Sequence, residues 1–405
     1  MGQSVGGTNS RVSLIKCASY NDDELYFSLK KCLDPIIDHY NAFKEIKGSK
    51  ILLKVNLLST SKGPDKPVNT HPSFVKQLAR YFIQEHGAQV YVGDSSGSFS
   101  QGSTNKAFFN MGLDRIAKEV GFTLINFDTA RKKVMCNPDH KIIKEIVVPG
   151  ELFEMDLVVT VPKLKTHELV GFTGAVKNMM GCLPGKLKRD VHVKAPTSKS
   201  MAVALCDIYA MVPTHLAVMD GIIGMEGNGP AAGEPVETGL ILASNDPVSL
   251  DAVVTHLLGY KEGEIRTTVY AHKRKLGVGD LNEIEIIGDD MNGCYYTEFV
   301  KVANKYKFIL ENIIPSWLIS TALEKIISFK PFIDTRQCVR CFECVKGCPV
   351  NCIEDIEEKL IIQKKKCIEC FCCQEVCPVN AVTVKPPLVK IMLGKVQKMI
   401  EYMSG

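Results

Sequence analysis

Eight cysteines in two runs carry the most specific chemistry in this chain. The first run is Cys338-Val-Arg-Cys341-Phe-Glu-Cys344-Val-Lys-Gly-Cys348-Pro349. The second is Cys367-Ile-Glu-Cys370-Phe-Cys-Cys373-Gln-Glu-Val-Cys377-Pro378. Each reads C-x2-C-x2-C-x3-C-P, a spacing in which three thiolates cap one iron–sulfur cubane and the fourth serves the other. Cluster one would take Cys338, Cys341, Cys344 and Cys377. Cluster two would take Cys367, Cys370, Cys373 and Cys348. Zinc knuckles or a disulfide framework are the competing reading. Zinc prefers two spaced ligand pairs, which two complete four-cysteine runs do not match. Cys372 breaks the x2 spacing and reads as a bystander, and Cys352 reads as a small packing residue.

A second set of candidates lies upstream. In Pro162-Lys-Leu-Lys-Thr-His167 and the following Lys177-Asn178, the cations Lys163, Lys165 and Lys177 could hold an anion. Gly171, Gly174, Gly181 and Gly185 would let backbone N–H groups approach it. A solvated basic loop is the bland alternative. Asp220 and Glu226, in a glycine-rich stretch, suit proton transfer or metal binding, or Asp220 holds a tight turn. His167 and Glu226 are the proton-donor candidates. Lys54, Asn56 and Asp94 join the set because they fall at strand ends, where open parallel sheets bind ligands. Asp246 before Pro247 reads as a helix N-cap. Asp251 faces either the same cleft or solvent. Cys182 is a redox thiol or, more simply, a buried inert one.

These residues need a scaffold. Ile51 to Asn56 is a near-continuous apolar run, as a buried parallel strand requires. Apolar residues at helical spacing cover 22 to 40 and 73 to 86, the latter entered through Thr70-His71-Pro72. Strands are expected at 12–16, 89–93, 122–127, 142–148, 157–162, 215–220, 239–243 and 283–288. Further helices are expected at 104–119, 197–211, 247–258 and 264–275. Residues 163–194 and 221–237 read as loops. The pattern predicts an α/β domain with a mostly parallel sheet and flanking helices, followed by a small α+β two-cluster domain. The expected boundaries are a disordered 1–10, an α/β domain at 11–290, a helical linker at 291–333, a cluster domain at 334–386 and an amphipathic helix in 387–405. That last helix, at 388–403, docks on the core, on a partner or on a membrane surface.

Composition narrows the class. The chain has 405 residues, 45% hydrophobic, with a net charge of only +4, which does not argue for nucleic acid. No run reaches the ~18 apolar residues of a spanning helix. The polar N-terminus lacks a signal-peptide core, and Gly6 spoils a myristoylation motif. Sixteen cysteines without a secretory signal fit a reducing cytoplasm, and an anaerobic setting. Walker A and G-x-G-x-x-G loops are incomplete, so neither an ATP nor a nicotinamide site is supported.

Several short matches point the same way. They are Lys54-x-Asn56-Leu57-Leu58, Thr70-His71-Pro72, Gly93-Asp94-Ser95, Pro162-Lys163-x-Lys165-Thr166-His167 and Lys177-Asn178, with Asp220-Gly221, Glu226-Gly227-x-Gly229-Pro230 and Asp246-Pro247-Val248. On these motifs, residues of about 12 to 290 resemble the family catalogued as domain of unknown function 362. The whole chain is similar to its ferredoxin-bearing members. The resemblance implies the fold and the iron–sulfur cofactor, and it leaves the chemistry open.

Two fully thiolate-ligated [4Fe-4S] clusters leave no open iron site and would serve electron transfer. The function expected is a ferredoxin-linked oxidoreductase. It would take electrons from a soluble donor such as a ferredoxin or flavodoxin and pass them to an anionic small molecule held in the α/β domain. The alternatives are a non-enzymatic electron-delivery or cofactor-maturation partner of another protein, and a redox sensor. A closed pocket holding Lys163, Lys177 and Glu226 would favour the reductase. A flat apolar face would favour the delivery partner.

Overall fold

The computed structural model describes residues 10–39, 46–98, 100–302 and 330–385. Residues 1–9, most of the expected linker and the helix expected at 388–403 lie outside the described residues.

The first half of the chain alternates strand and helix. Strand β1 (Ser10–Lys16) leads into α1 (Asp22–His39), whose first turn carries three acidic residues that complement the helix dipole. Strand β2 (Lys50–Lys54) is followed by α2 (Pro72–His86). His71 caps α2, Pro72 opens it, and Gly87 at φ 60° closes it in the left-handed region that glycine tolerates. Strand β3 (Gln89–Asp94) precedes α3 (Ser103–Asn110), α4 (Leu113–Val120) and β4 (Thr123–Asn126). The single helix expected at 104–119 is thus two. Gly112, at φ 67°, turns the chain between them.

A hairpin of β5 (Lys132–Cys136) and β6 (Glu145–Pro149) stands apart from the main sheet. The buried strand β7 (Leu157–Thr160) returns to it. The stretch 163–194, read as a loop, is instead ordered. It forms β8 (Lys163–His167), β9 (Gly171–Thr173), α5 (Ala175–Asn178) and α6 (Gly185–Lys194). Helix α7 (Ser198–Tyr209) follows, and then the long antiparallel pair β10 (Leu216–Glu226) and β11 (Glu234–Ser244).

Most of 221–237, also read as a loop, therefore lies in strands. Its glycines mark close packing rather than a turn. A Cβ on Gly224 would sit 2.7 Å from Leu164 Cδ2, and one on Gly221 would sit 2.8 Å from the Leu240 carbonyl. Helices α8 (Pro247–Leu257) and α9 (Arg266–Lys273) and strand β12 (Ile284–Gly288) complete the domain.

The sheet order is β12-β1-β11-β10-β7-β2-β3-β4, with β8 on β10 and β9 on β8. Pairing is parallel from β10 through β4 and between β1 and β12. It is antiparallel where β11 meets β1 and β10. Strand alternation divides the core. Ile51 and Leu53 face α1 and α2, while Leu52 faces α6 and α7. Helices cover both faces, as a parallel sheet requires.

The cysteine-rich part is a small α+β unit with an internal repeat. Strand β13 (Lys330–Ile333) pairs with β16 (Val382–Lys385), and β14 (Ile353–Ile356) pairs with β15 (Lys359–Ile362), both antiparallel. Helices α10 (Glu343–Gly347) and α11 (Cys372–Glu375) fall inside the two runs. Left-handed φ values recur at matching places: Arg340, Phe342 and Asn351 in the first run, Glu369, Phe371 and Asn380 in the second. Phe371 is buried in the α/β core beside α6 and α7, which seats the unit on that domain. Among the described residues no helix is long and apolar enough to cross a membrane.

Candidate functional site

The cysteines gather in the crossed pattern. Cys338, Cys341, Cys344 and Cys377 line one small cavity with Ile333, Leu360 and Val382. Cys348, Cys367, Cys370 and Cys373 line a second, and Cys352 joins them. The donor set fits cubane clusters: four thiols from both runs, an apolar lining, and amide donors aimed at sulfur. Cys352 N donates to Cys348 Sγ at 3.3 Å, and Ala381 N to Cys377 Sγ at 3.2 Å. These two bonds are repeat equivalents, four residues beyond each fourth cysteine. Cys352 therefore stands where the other run carries Ala381, which agrees with a packing role.

At the carboxyl ends of β2 and β3, beside the middle of β8, lies a buried polar network. Lys54, with no exposed surface, pairs with Asp94 at 2.9 Å and donates to Asn178 Oδ1 at 3.2 Å. Asn178 also accepts from Asn56 Nδ2 at 3.2 Å, and donates to the Lys54 carbonyl and Thr160 Oγ1. Lys165 Nζ donates to Asn56 Oδ1 and the Val68 carbonyl, both at 2.6 Å. Burial pushes Asp94 up, against the pull of Lys54, and pushes Lys165 well down.

A neighbouring cluster centres on Asp220. Its carboxylate accepts from Lys163 Nζ at 2.8 Å, from Tyr20 Oη at 2.7 Å and from His71 N at 2.8 Å. Tyr20 stacks on His71 with ring centroids 3.7 Å apart. Lys163 is pushed down by burial, with Asp220 opposing.

The expected grouping is therefore only partly assembled. Lys54, Asn56, Asp94, Asn178 and Lys165 do converge, but as an internal network whose cations already have partners. Asp220 is bound to Lys163 and is 0% exposed. Glu226 lies six residues further along β10, roughly 20 Å at strand rise, and accepts from Val300 N at 2.8 Å. Asp220 and Glu226 do not form a carboxylate pair. Asp251 is buried and accepts from the amides of Ala175 and Val176, and Asp246 caps α8. Cys182 is buried, and burial pushes its thiol up to about 12, which leaves it protonated and unreactive.

Two of the expected residues reach the cluster unit. His167 Nε2 lies 3.2 Å from Glu375 Oε1, on α11. His167 Nδ1 accepts from Leu169 N at 3.1 Å, so the neutral ring carries its proton on Nε2, toward Glu375. Lys177 is half-buried, and its strongest opposite charge is Glu375.

A cavity of about 370 Å³ opens between the two parts. Five serines line it, from the loops after β2 and β3 and the start of α3, and its other wall includes Cys341, Glu343, Glu375 and Pro378. Lys106 is the lysine in its lining. Glu343 accepts from Ser98 Oγ at 3.2 Å and from Ser100 Oγ at 3.0 Å, which ties the first cysteine run to the α/β domain. None of the lysines expected to bind substrate lines this cavity. The serines lie beyond strand ends, which was the one sequence signal for them. Glu343, Glu375, Tyr20 and Lys188 were not singled out. Lys188, buried and pushed down to about 8 by burial, donates to Ser95 and Ser96 carbonyls at 2.5 and 2.8 Å and shapes the loop after β3.

With this geometry in view, the chain can be set beside known proteins. Residues 51–256 match the family described as Domain of unknown function (DUF362). Thylakoid-associated protein sll1697 from Synechocystis sp. is 32% identical over 268 residues, which covers 66% of this chain and 79% of that protein. The chain belongs to the DUF362 family. Residues 330–378 match the 4Fe-4S dicluster domain, so this DUF362 protein carries an iron–sulfur domain of the electron-transfer type. The lactate racemase apoprotein from Thermoanaerobacterium thermosaccharolyticum gives a TM-score of 0.35 at 12% identity, over 57% of this chain. The DUF362 chain spans about half, 53%, of that racemase.

The buried imidazoles of this DUF362 protein predict an acid sensitivity. Burial pushes His71 and His167 down from 6.5 to about 4. Between those values the unfolded chain binds protons that the folded chain does not. Stability is therefore lost as pH falls through that window, by up to ~1.4 kcal/mol per pH unit per histidine. Urea midpoints taken from pH 7 to pH 5 should fall, and His167→Gln should flatten the slope. An unchanged slope in that variant would remove His167 from the account.

Proposed function

We propose that this protein is an oxidoreductase that passes electrons through two [4Fe-4S] clusters to a small polar molecule bound between the cluster unit and the α/β domain. Cys338, Cys341, Cys344 and Cys377 would hold one cluster, and Cys348, Cys367, Cys370 and Cys373 the other. The clusters supply single electrons by outer-sphere transfer. The observation that carries the reading is the serine-lined cavity, whose wall includes Cys341. A molecule held there would be in contact with a cluster ligand.

The substrate chemistry differs from the anion expected at first. Lys54, Lys163 and Lys165 are engaged with internal partners, and the cavity lining sets two carboxylates against one lysine. Hydroxyl-lined walls of this kind suit an uncharged or weakly charged polar molecule with several hydrogen-bonding groups. Glu375, held as a carboxylate beside the Nε2 proton of His167, would accept a hydrogen bond from the bound molecule, and the protons of the reduction would come from solvent. Asp220 and Glu226 have no place in this step.

The reading is tested with anaerobic, dithionite-reduced protein offered fractionated metabolites. One fraction should reoxidise the clusters. Ser100→Phe, which fills the cavity, should slow that reaction at least tenfold with the cluster spectrum unchanged. Equal rates in the variant would move the site elsewhere. A second reading, electron delivery to a partner protein, is favoured by Val339 and Val379, which are 61% and 40% exposed beside the first cysteine cavity. A soluble donor would use the same face. Reoxidation by no small molecule, but by a protein fraction, would favour this second reading.

A further inference from the structure

Cys372 has no role in the scheme above, and the internal repeat shows why. It occupies the place that Glu343 fills in the first run, between the second and third cysteines. Its side chain does not line either cysteine cavity. It faces the α/β domain instead. There a ring nitrogen of His192 and the sulfurs of Cys370 and Cys372 all lie within 4.8 Å of one another, with all three side chains buried.

His192 comes from α6 and is 6% exposed. Its Nδ1 is buried with no hydrogen-bond partner among the described residues. A buried ring nitrogen without a partner costs about 1–3 kcal/mol, a cost that a bound atom would remove. The two thiols lie within 4.8 Å of each other. A nitrogen and two sulfurs at this spacing need only modest closure to reach a shared ion at ~2.0–2.3 Å. Cys370 would already be a thiolate on the cluster, so a divalent ion bound with loss of the Cys372 proton would add one positive charge beside the thiolate-ligated cluster. The flanking charges, Glu375 and Lys177, are of opposite sign. The Cys₂His set is soft and leaves a fourth position open.

We propose that His192, Cys370 and Cys372 bind one thiophilic divalent ion, zinc or ferrous iron, with Cys370 shared between that ion and the second cluster. The sharing rests on the cluster assignment above; the His192–Cys372 pairing does not.

The test uses the full chain, reconstituted anaerobically, exposed to Zn²⁺ and desalted. Acid-labile sulfide counts the clusters, and elemental analysis counts iron and zinc. One equivalent of zinc, or of iron in excess of sulfide, is expected. X-ray absorption of the zinc form should show two sulfurs and one nitrogen. Cys372→Ser and His192→Ala should each weaken zinc binding at least tenfold with sulfide unchanged. The proposal is overturned if wild-type metal matches sulfide after zinc addition, or if either variant keeps the extra equivalent. It is also overturned if Cys372→Ser loses sulfide, since Cys372 would then be a cluster ligand. A wild-type protein without labile sulfide would instead defeat the cluster reading, a separate result.

Discussion

Replacing Asp220 with alanine should cost about 3–5 kcal/mol of folding stability, the usual penalty for stranding a buried charge. The carboxylate has no exposed surface and is the shared acceptor for Lys163, Tyr20 and the His71 amide. Removing it leaves three donors without their partner, one of them an ammonium that is itself 1% exposed. The double variant Asp220→Ala with Lys163→Met should recover much of the loss, because the stranded charge goes with its partner. Glu226→Ala, which breaks one hydrogen bond at the far end of the same strand, should cost no more than ~1 kcal/mol. Urea titrations of the four proteins decide the matter. A single Asp220 variant within 1 kcal/mol of wild type would mean that Lys163 finds another partner or leaves the interior.

Removing iron should unfold the cysteine-rich unit and spare the α/β domain. The unit's core has nine buried residues, five of them cysteines, with Ile353, Leu360, Ala381 and Val382 as the rest. A core of that kind has little apolar area of its own, and small units of this size usually need a metal to fold. Without iron, burial pushes the thiols of Cys344 and Cys373 up, so they would be neutral, and nothing would tie the two runs together across the cavities. Hydrogen exchange on chelator-treated protein should show residues 330–385 losing protection, except near Phe371, which the α/β core grips. Amides of β2, β3 and β7 should stay protected. Persistent protection across the whole unit would show that packing alone holds it.

The cysteine pattern was legible from the chain because ligation acts through spacing over a few residues, and spacing is what a sequence records. The βαβ rhythm was legible for the same reason, in Ile51–Leu53 and in the capped start at His71. The buried lysines were not. Lys163 and Asp220 are 57 residues apart in the chain, so no local pattern reports that one neutralises the other. A lysine destined for an internal ion pair looks the same as one destined for substrate. Glycines misled for a related reason: Gly221 and Gly224 admit a neighbouring strand, whereas in sequence they resemble a turn. The serine-lined cavity was hidden because one wall comes from the α/β domain and the other from the cysteine unit, and serines near strand ends are commonplace.

The place of β1 in the sheet also bears on how the protein is made. Val12 aligns with Ser244 and Ser10 with Ile284, so the first strand cannot bond to either neighbour until more than about 220 further residues have been translated. At ribosomal speeds that is a delay of roughly 10–50 s. Through that interval an apolar segment emerges with both edges bare, and it would be an early substrate for holdase chaperones during synthesis.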